Sequence, residues 1–263
     1  SPEDALLAAH HALLAHGSAV PALRRHSAAA QVGITLDMSY IEAATTKPVD
    51  LEAAARIDAM RNRWFLDPVL RGRYPADGLE LAEEYLPDIQ PGDMNQIHVP
   101  IDFLGVNYYS REVISDDPSN PYLQFRREQT DSPRTAMDWE VYPHGLYATL
   151  KRVHTEYNPP AIYITESGAA FADTPSEDGR VHDVERMGYL RDHFRAAQHA
   201  INDGVPLKGY FVWSLMDNFE WAEGYDKRFG ICYVDFATQQ RSLKDSAHFM
   251  AQVAAANAIP ADA

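Results

Sequence analysis

The chain has 263 residues, 46% of them hydrophobic, which is enough to bury a sizeable core. Its 38 acidic residues outnumber 23 basic ones, for a formal net charge of −15. Such a field repels nucleic acid and anionic membrane surfaces, so neither is expected as a partner, and it is compatible with a neutral ligand such as a sugar. Residues 2–16 have helical spacing, with Leu6, Leu7, His10, Leu13 and Leu14 recurring along them and Ser1-Pro2 placed as N-cap and first-turn proline. QVGITLD (31–37) reads as a short buried strand. An Ala-rich helical pattern over 50–66 ends in Trp64-Phe65, and Asp67-Pro68 is expected to close it. The stretch 71–98 is polar and rich in proline and glycine, with a short helical piece at 78–86. IDFLGVNY (101–108) is the next strand, and 110–138 reads as a long irregular loop. A helix over 144–157, the strand AIYIT (161–165), a polar loop and a helix over 183–202 follow. LKGYFVWSL (207–215) is the last strong strand, with a small hairpin near 229–240 and a helix over 243–257.

Apolar strands alternating with amphipathic helices imply an α/β chain with a parallel sheet covered by helices. Four strand–helix units are half of an eight-stranded barrel. An opening helix with no strand before it reads as a start inside a larger protein. Residues 1–263 are expected to form one unit without a second domain. Exposed strand edges would then call for a complementing N-terminal fragment or for self-association. The single cysteine, Cys232, sits in the apolar run FGICYVDF (229–236) and reads as a buried, inert thiol. Neither a signal-peptide pattern nor an apolar run of membrane-span length is seen, and a cytoplasmic protein is expected. The 11 histidines form no HExxH pattern. A phosphate loop, a dinucleotide fingerprint and a serine nucleophile elbow are also missing, so neither metal nor cofactor is expected.

Three segments carry candidate chemistry. ITESG (164–168) puts Glu166 at the C-terminal end of an apolar strand, the end where parallel barrels build active sites. From placement alone, catalysis and a hydrogen-bonded structural role stand equally open. Tyr109, at the end of an earlier strand, could donate a phenolic hydrogen bond to that carboxylate. VWSLMDNFEW (212–221) brings Trp213, Asn218, Phe219, Glu220 and Trp221 to another strand terminus. Indole faces beside a carboxylate suit a pyranose, whose C–H side packs on a ring while its hydroxyls donate to oxygen. FLGVNYYS (103–110) and DWEVYPHGLY (138–147) add Asn107 and Trp139 to the same presumptive cleft.

Together these segments resemble family 1 glycoside hydrolases, the β-glucosidase family. YITESG is similar to the family's nucleophile motif, with Ser167 where asparagine is more usual; the resemblance makes Glu166 the nucleophile and Tyr109 its partner. VWSLMDNFEWAEGYDKRFG is similar to the sugar-binding strip, which implies stacking by Trp213, hydroxyl binding by Glu220 and Trp221, and a pocket wall from Phe229. FLGVNYY implies Asn107 as a substrate contact, and DWEVYP lays Trp139 along the leaving-group side. NRWFLDPVLRGRYP (62–75) matches as an architectural signature. The resemblance implies a (β/α)8 TIM barrel of which this chain supplies strands 5–8. Its acid/base motif, a TFNEP-like sequence after the fourth strand, is not in this sequence, nor are the first-strand Gln and His-Trp elements or the arginine expected beneath the nucleophile.

The expectation is therefore a retaining exo-β-glycosidase acting on terminal β-D-glucosyl residues, with the acid/base supplied from outside these residues. A non-catalytic half-barrel that binds sugar or a partner chain is the alternative. Asp138, Glu140, Asp217 and Glu223 are substitutes for the second carboxyl by loop location only, and Asp217 and Glu223 read as loop or cap residues. Ala222-Glu223 replaces the serine-plus-basic pattern of phosphosugar enzymes, favouring unphosphorylated sugars. Glucoside, galactoside and fucoside are not separated by these residues.

Overall fold

The computed structural model describes residues 1–260, so the last three positions of the expected unit lie outside the described residues. In chain order its strands are β1 (Gly33–Ala43), β2 (Phe103–Asp116), β3 (Phe125–Glu128), β4 (Ile162–Ser167) and β5 (Leu207–Val212). A ribbon of β6 (Cys232–Val234) and β7 (Arg241–Leu243) follows. The helices are α1 (Pro2–His26), α2 (Pro48–Asp58), α3 (Trp64–Arg71), α4 (Ala76–Leu81), α5 (Asp93–Ile97), α6 (Pro143–Tyr157), α7 (Val184–Asn202) and α8 (Asp245–Ala256). β1, β2, β4 and β5 are neighbours in that order and all parallel, as alternating strands and helices require.

Period-two alternation sorts the two faces of this sheet. Leu104, Val106 and Tyr108 of β2 and Ile162 and Ile164 of β4 are fully buried, packed with Leu146, Leu150 and Val153 of α6 and Ala196, Ala197 and Ala200 of α7. Each such large apolar side chain stabilises the fold by roughly 1.5–3 kcal/mol. The other face mixes small and polar residues with the edge-to-face aromatic pair Phe103 and Tyr163. A Cβ on Gly105 would lie 2.4 Å from Thr35 Oγ1 and 2.8 Å from Thr165 Cγ2, so this layer admits only glycine there.

The element order matches the sequence reading, with several corrections. The opening helix runs to His26 instead of ending at 16. Gly17, a frequent terminator, is there for close packing: a Cβ would meet Gln96 O at 2.0 Å. By length and composition α1 could also cross a membrane, where no such run was expected. Its buried residues are Leu6, His10, Leu13, Gly17 and Val20, which form one stripe, the pattern of a helix packed on a protein surface. The second helix does not close at Asp67-Pro68. It passes through a π-helical turn (Ala59–Arg63) into α3, with Pro68 inside, and ends at Gly72 with φ +67°. Asn62 in that turn is buried and bonds Ser39 through its N–H and its carbonyl, pinning the helix to β1. The segment expected to be irregular over 110–138 instead continues β2 to Asp116 and pairs it with β3. The last strand stops at Val212, not 215, and the hairpin spans 232–243.

Candidate active site

The C-terminal ends of β2, β4 and β5 open into a cleft of about 720 Å³. Asn107, Tyr109, Trp139, Glu166, Trp213, Glu220, Trp221 and Phe229 all line it, whereas Asn218 and Phe219 of the tryptophan strip do not.

How Glu166 reaches the cleft is a matter of backbone register. Strict alternation after Ile162 and Ile164 would turn Glu166 toward the helices. The ladder slips instead: Val106 pairs with Ile164, while Asn107 pairs with Glu166, leaving Thr165 over. The same slip recurs against β5, where Ile164 pairs with Tyr210 and Ser167 with Val212. Such an irregularity re-aims a side chain, and here it sets Glu166 beside Asn107 and Tyr109. Thr165 Oγ1 donates to Asn107 Oδ1 at 2.7 Å, which fixes the amide.

Tyr109 Oη donates to Glu166 Oε2 at 2.6 Å. Burial, and then the Glu166 carboxylate, push the phenol far above its ordinary range, so Tyr109 stays protonated and keeps its proton to donate to the carboxylate. Its ring meets Trp139 at 5.2 Å and Phe229 at 6.3 Å, and Trp139 lies 6.0 Å from Phe229, making an aromatic wall. Across the cleft, Trp213 Nε1 donates to Glu220 Oε2 at 3.4 Å. Burial raises the Glu220 carboxyl above its ordinary range, and the Glu166 and Glu223 charges add to this against the indole bond. Trp221 is 78% exposed, an indole face open toward whatever fills the cleft. The Trp213–Ser214 peptide is cis.

The loop carboxylates considered as a second catalytic group fall in unequal places. Asp138 and Glu140 line the cleft, but Glu140 is clamped by Arg111, whose Nε and Nη2 donate at 2.8 Å each. Despite its burial, those bonds hold the Glu140 carboxyl down at about 2. Asp217 lies in a loop, as its sequence position implies, but its side chain is buried and paired with Lys244 and Arg228. Glu223 does not line the cleft. Sequence reasoning missed Asp37, Arg61, Arg111, Glu112, Arg127 and Arg134, which line the other end of the cleft. The sequence signals for them were the charge runs Arg111-Glu112, directly after FLGVNYYS, and Arg126-Arg127-Glu128. Among the described residues no group of three His, Cys, Asp or Glu side chains is placed to hold a metal ion.

Comparison with known proteins bears on this geometry. The model of Glycosyl hydrolase family 1 matches residues 1–259. The chain is 49% identical over 256 residues to Beta-glucosidase A of Thermotoga maritima, covering 97% of this chain and 57% of that protein. It is 48% identical over 245 residues to the 1,4-beta-D-glucan glucohydrolase of Thermotoga neapolitana, covering 93% of this chain and 55% of the relative. A solved family 1 β-glucosidase from Thermotoga maritima superimposes with a TM-score of 0.96 at 47% identity, over 99% of this chain and 59% of that one. A β-glucosidase structure from the same organism in complex with deoxynojirimycin gives 0.96 at 48% identity, over 99% of this chain and 59% of that one. The chain thus spans a little over half the length of the relatives it matches.

Proposed function

The chain belongs to glycosyl hydrolase family 1, and on that premise we propose that it carries the nucleophile side of a retaining exo-β-glycosidase active site. The observation that supports this most is the 2.6 Å hydrogen bond from Tyr109 to Glu166 inside a cleft walled by aromatic rings. In this reading Glu166 attacks the anomeric carbon and displaces the aglycone, whose oxygen takes a proton from the acid/base, and water activated by that same group then attacks the covalent glycosyl-enzyme from the face the aglycone left, releasing Glu166. Tyr109 orients the attacking carboxylate. Trp213 packs on the sugar ring, Asn107, Glu220 and Trp221 bind its hydroxyls, Phe229 closes the wall, and Trp139 lies on the leaving-group side. β-Glucosides are the substrate class favoured by the names of the relatives.

Retention needs a second carboxyl about 5–5.5 Å from the first. Glu140 is clamped by Arg111 and the sequence holds no TFNEP-like motif, so we assign the acid/base to the strands that complete a (β/α)8 barrel. On this reading β1, β2, β4 and β5 are its strands 5–8, and all 263 residues belong to one unit. β1 and β5 end the strand order, and Phe211 of β5 and Leu215 just after it are 58% and 66% exposed. Both features support a covering segment, whether from the same polypeptide or from a complementing chain.

The test is labelling with 2,4-dinitrophenyl 2-deoxy-2-fluoro-β-glucoside, whose leaving group departs without an acid. A mass increase mapped to Glu166 is expected. A deoxynojirimycin-binding protein that takes no label at Glu166 would replace this reading with the sugar-binding, non-catalytic one.

A further inference from the structure

Behind the cleft, six charged side chains pack together away from water. Arg186 and Lys244 are wholly buried, Asp173, Asp183 and Asp217 are nearly so, and Arg228 joins from the edge. Arg186 pairs with Asp173 at 2.7 Å and with Asp183 at 2.6 Å. Lys244 Nζ donates to Asp173 Oδ2 at 2.6 Å and to Asp217 Oδ1 at 2.9 Å. Arg228 Nη1 donates to Asp217 Oδ2 at 2.6 Å. Three cations meet three carboxylates, so the cluster is neutral as a whole, and mutual pairing offsets the loss of hydration.

What the cluster joins is more informative than its existence. Arg186 Nε donates to the carbonyl of Ala169 at 3.2 Å and Nη2 to the carbonyl of Arg228 at 2.7 Å. Ala169 belongs to the turn that leaves Glu166, and Arg228 immediately precedes Phe229 of the cleft wall. Lys244 makes a second tie. Asp173 lies further along the same turn, whereas Asp217 lies between Trp213 and Glu220. Asp217 in turn accepts from the backbone N–H groups of Gly230 at 3.0 Å and Val234 at 3.3 Å. The two segments also touch directly: Trp213 N–H donates to Ser167 O at 3.0 Å, and a Cβ on Gly168 would sit 1.8 Å from Trp213 O.

We propose that Arg186 and Lys244 are positioning residues, which through this buried relay set where Glu166 stands relative to Trp213, Glu220 and Phe229. The proposal rests on reading Glu166 as the nucleophile. Its physical content is that attack tolerates little displacement: a shift of about 1 Å costs on the order of 100-fold in rate. Two carbonyls on different segments can share one planar guanidinium, and an ammonium cannot span them in the same way.

The experiment uses the whole protein that contains these residues, with Arg186→Lys and Asp217→Asn as variants. The probe is the same fluoro-glucoside, read as the saturating labelling rate and the half-saturating concentration, each per folded molecule by thermal melt. In Arg186→Lys the saturating rate should fall at least about tenfold, with a much smaller change in half-saturation, because the strip still binds sugar while the attack is misaligned. If Arg186→Lys does not fold, the same split read on Asp217→Asn decides. Unchanged labelling per folded molecule in the variants, with only a lowered melting temperature, would overturn the proposal and leave the cluster a structural clasp. Failure to label Glu166 in the unsubstituted protein would overturn the nucleophile reading itself, a result separable from any effect of the variants.

Discussion

Two sets of carboxylates flank the turn after β4, and they are held in opposite ways. Beneath it, Asp173, Asp183 and Asp217 are each fixed by a guanidinium or ammonium group at 2.6–2.9 Å. Above it, among the described residues, Glu166 and Glu220 are held by neutral donors, a phenol and an indole. A carboxylate saturated by buried cations is an anchor: its charge is spent on holding segments together. One that keeps a free oxygen in an open cleft retains a lone pair for a ligand. The same side-chain chemistry yields scaffold in one place and a candidate nucleophile in the other, and the difference lies in the partner.

Four substitutions would break or sharpen that contrast. The largest effect is expected for Glu166→Gln, which keeps size and hydrogen bonding but removes the attacking charge. Aryl β-glucoside turnover by the complete enzyme should fall by at least roughly 10⁴-fold while deoxynojirimycin affinity changes little. Normal turnover in this variant would end the nucleophile reading. Next comes Lys244→Met, which leaves Asp173 and Asp217 buried with fewer cations. Denaturant unfolding should show a loss of about 3–5 kcal/mol, the cost of breaking a buried pair by removing one partner. A loss no greater than that of a surface ion pair would mean the cluster is not the anchor described.

Tyr109→Phe takes away the donor to Glu166 without altering the ring. A hydrogen bond to a charged group contributes about 1.5–3 kcal/mol, so the fluoro-glucoside labelling rate should drop roughly 10- to 100-fold with the melting temperature nearly unchanged. The smallest effect concerns Glu220. Burial raises its carboxyl in the folded state, so the folded protein binds a proton more readily there than the unfolded chain does. Ionised Glu220 therefore costs stability above its folded pKa, and the cost disappears as pH falls through that value. Glu220→Gln should stabilise by no more than about 0.5 kcal/mol at neutral pH, a half-exposed group being screened by solvent, and by nothing in acid. Paired thermal melts at the two pH values check the sign, and a variant less stable at neutral pH would contradict it.

Much of this was legible in the chain itself. Alternating apolar residues in FLGVNYY and AIYIT report strands whose helix-facing sides are buried, and the spacing in α6 and α7 supplies the matching helical faces. ITESG, FLGVNYY and the tryptophan strip also named the residues that share the cleft. Local punctuation misled in both directions. Asp67-Pro68 looked like a terminator because isolated helices dislike proline, yet the helix runs through it to Gly72. The charges after Tyr109 looked like loop because a strand edge with Arg and Glu is not apolar, yet pairing with β3 satisfies its backbone.

By itself the sequence determined the order of the four parallel strands and the aromatic and carboxylate residues at one end of the cleft, because periodicity and strand-end position are local properties of a chain. Only the tertiary structure decided which way Glu166 points, since a one-residue slip against both neighbouring strands reverses the side on which it emerges. Only the tertiary structure, too, made Asp217 an anchor. Its partner Lys244 lies 27 positions away, and the partner of Asp173 is that same lysine, 71 positions away. Charge pairing acts through space and leaves no spacing in the sequence to be read.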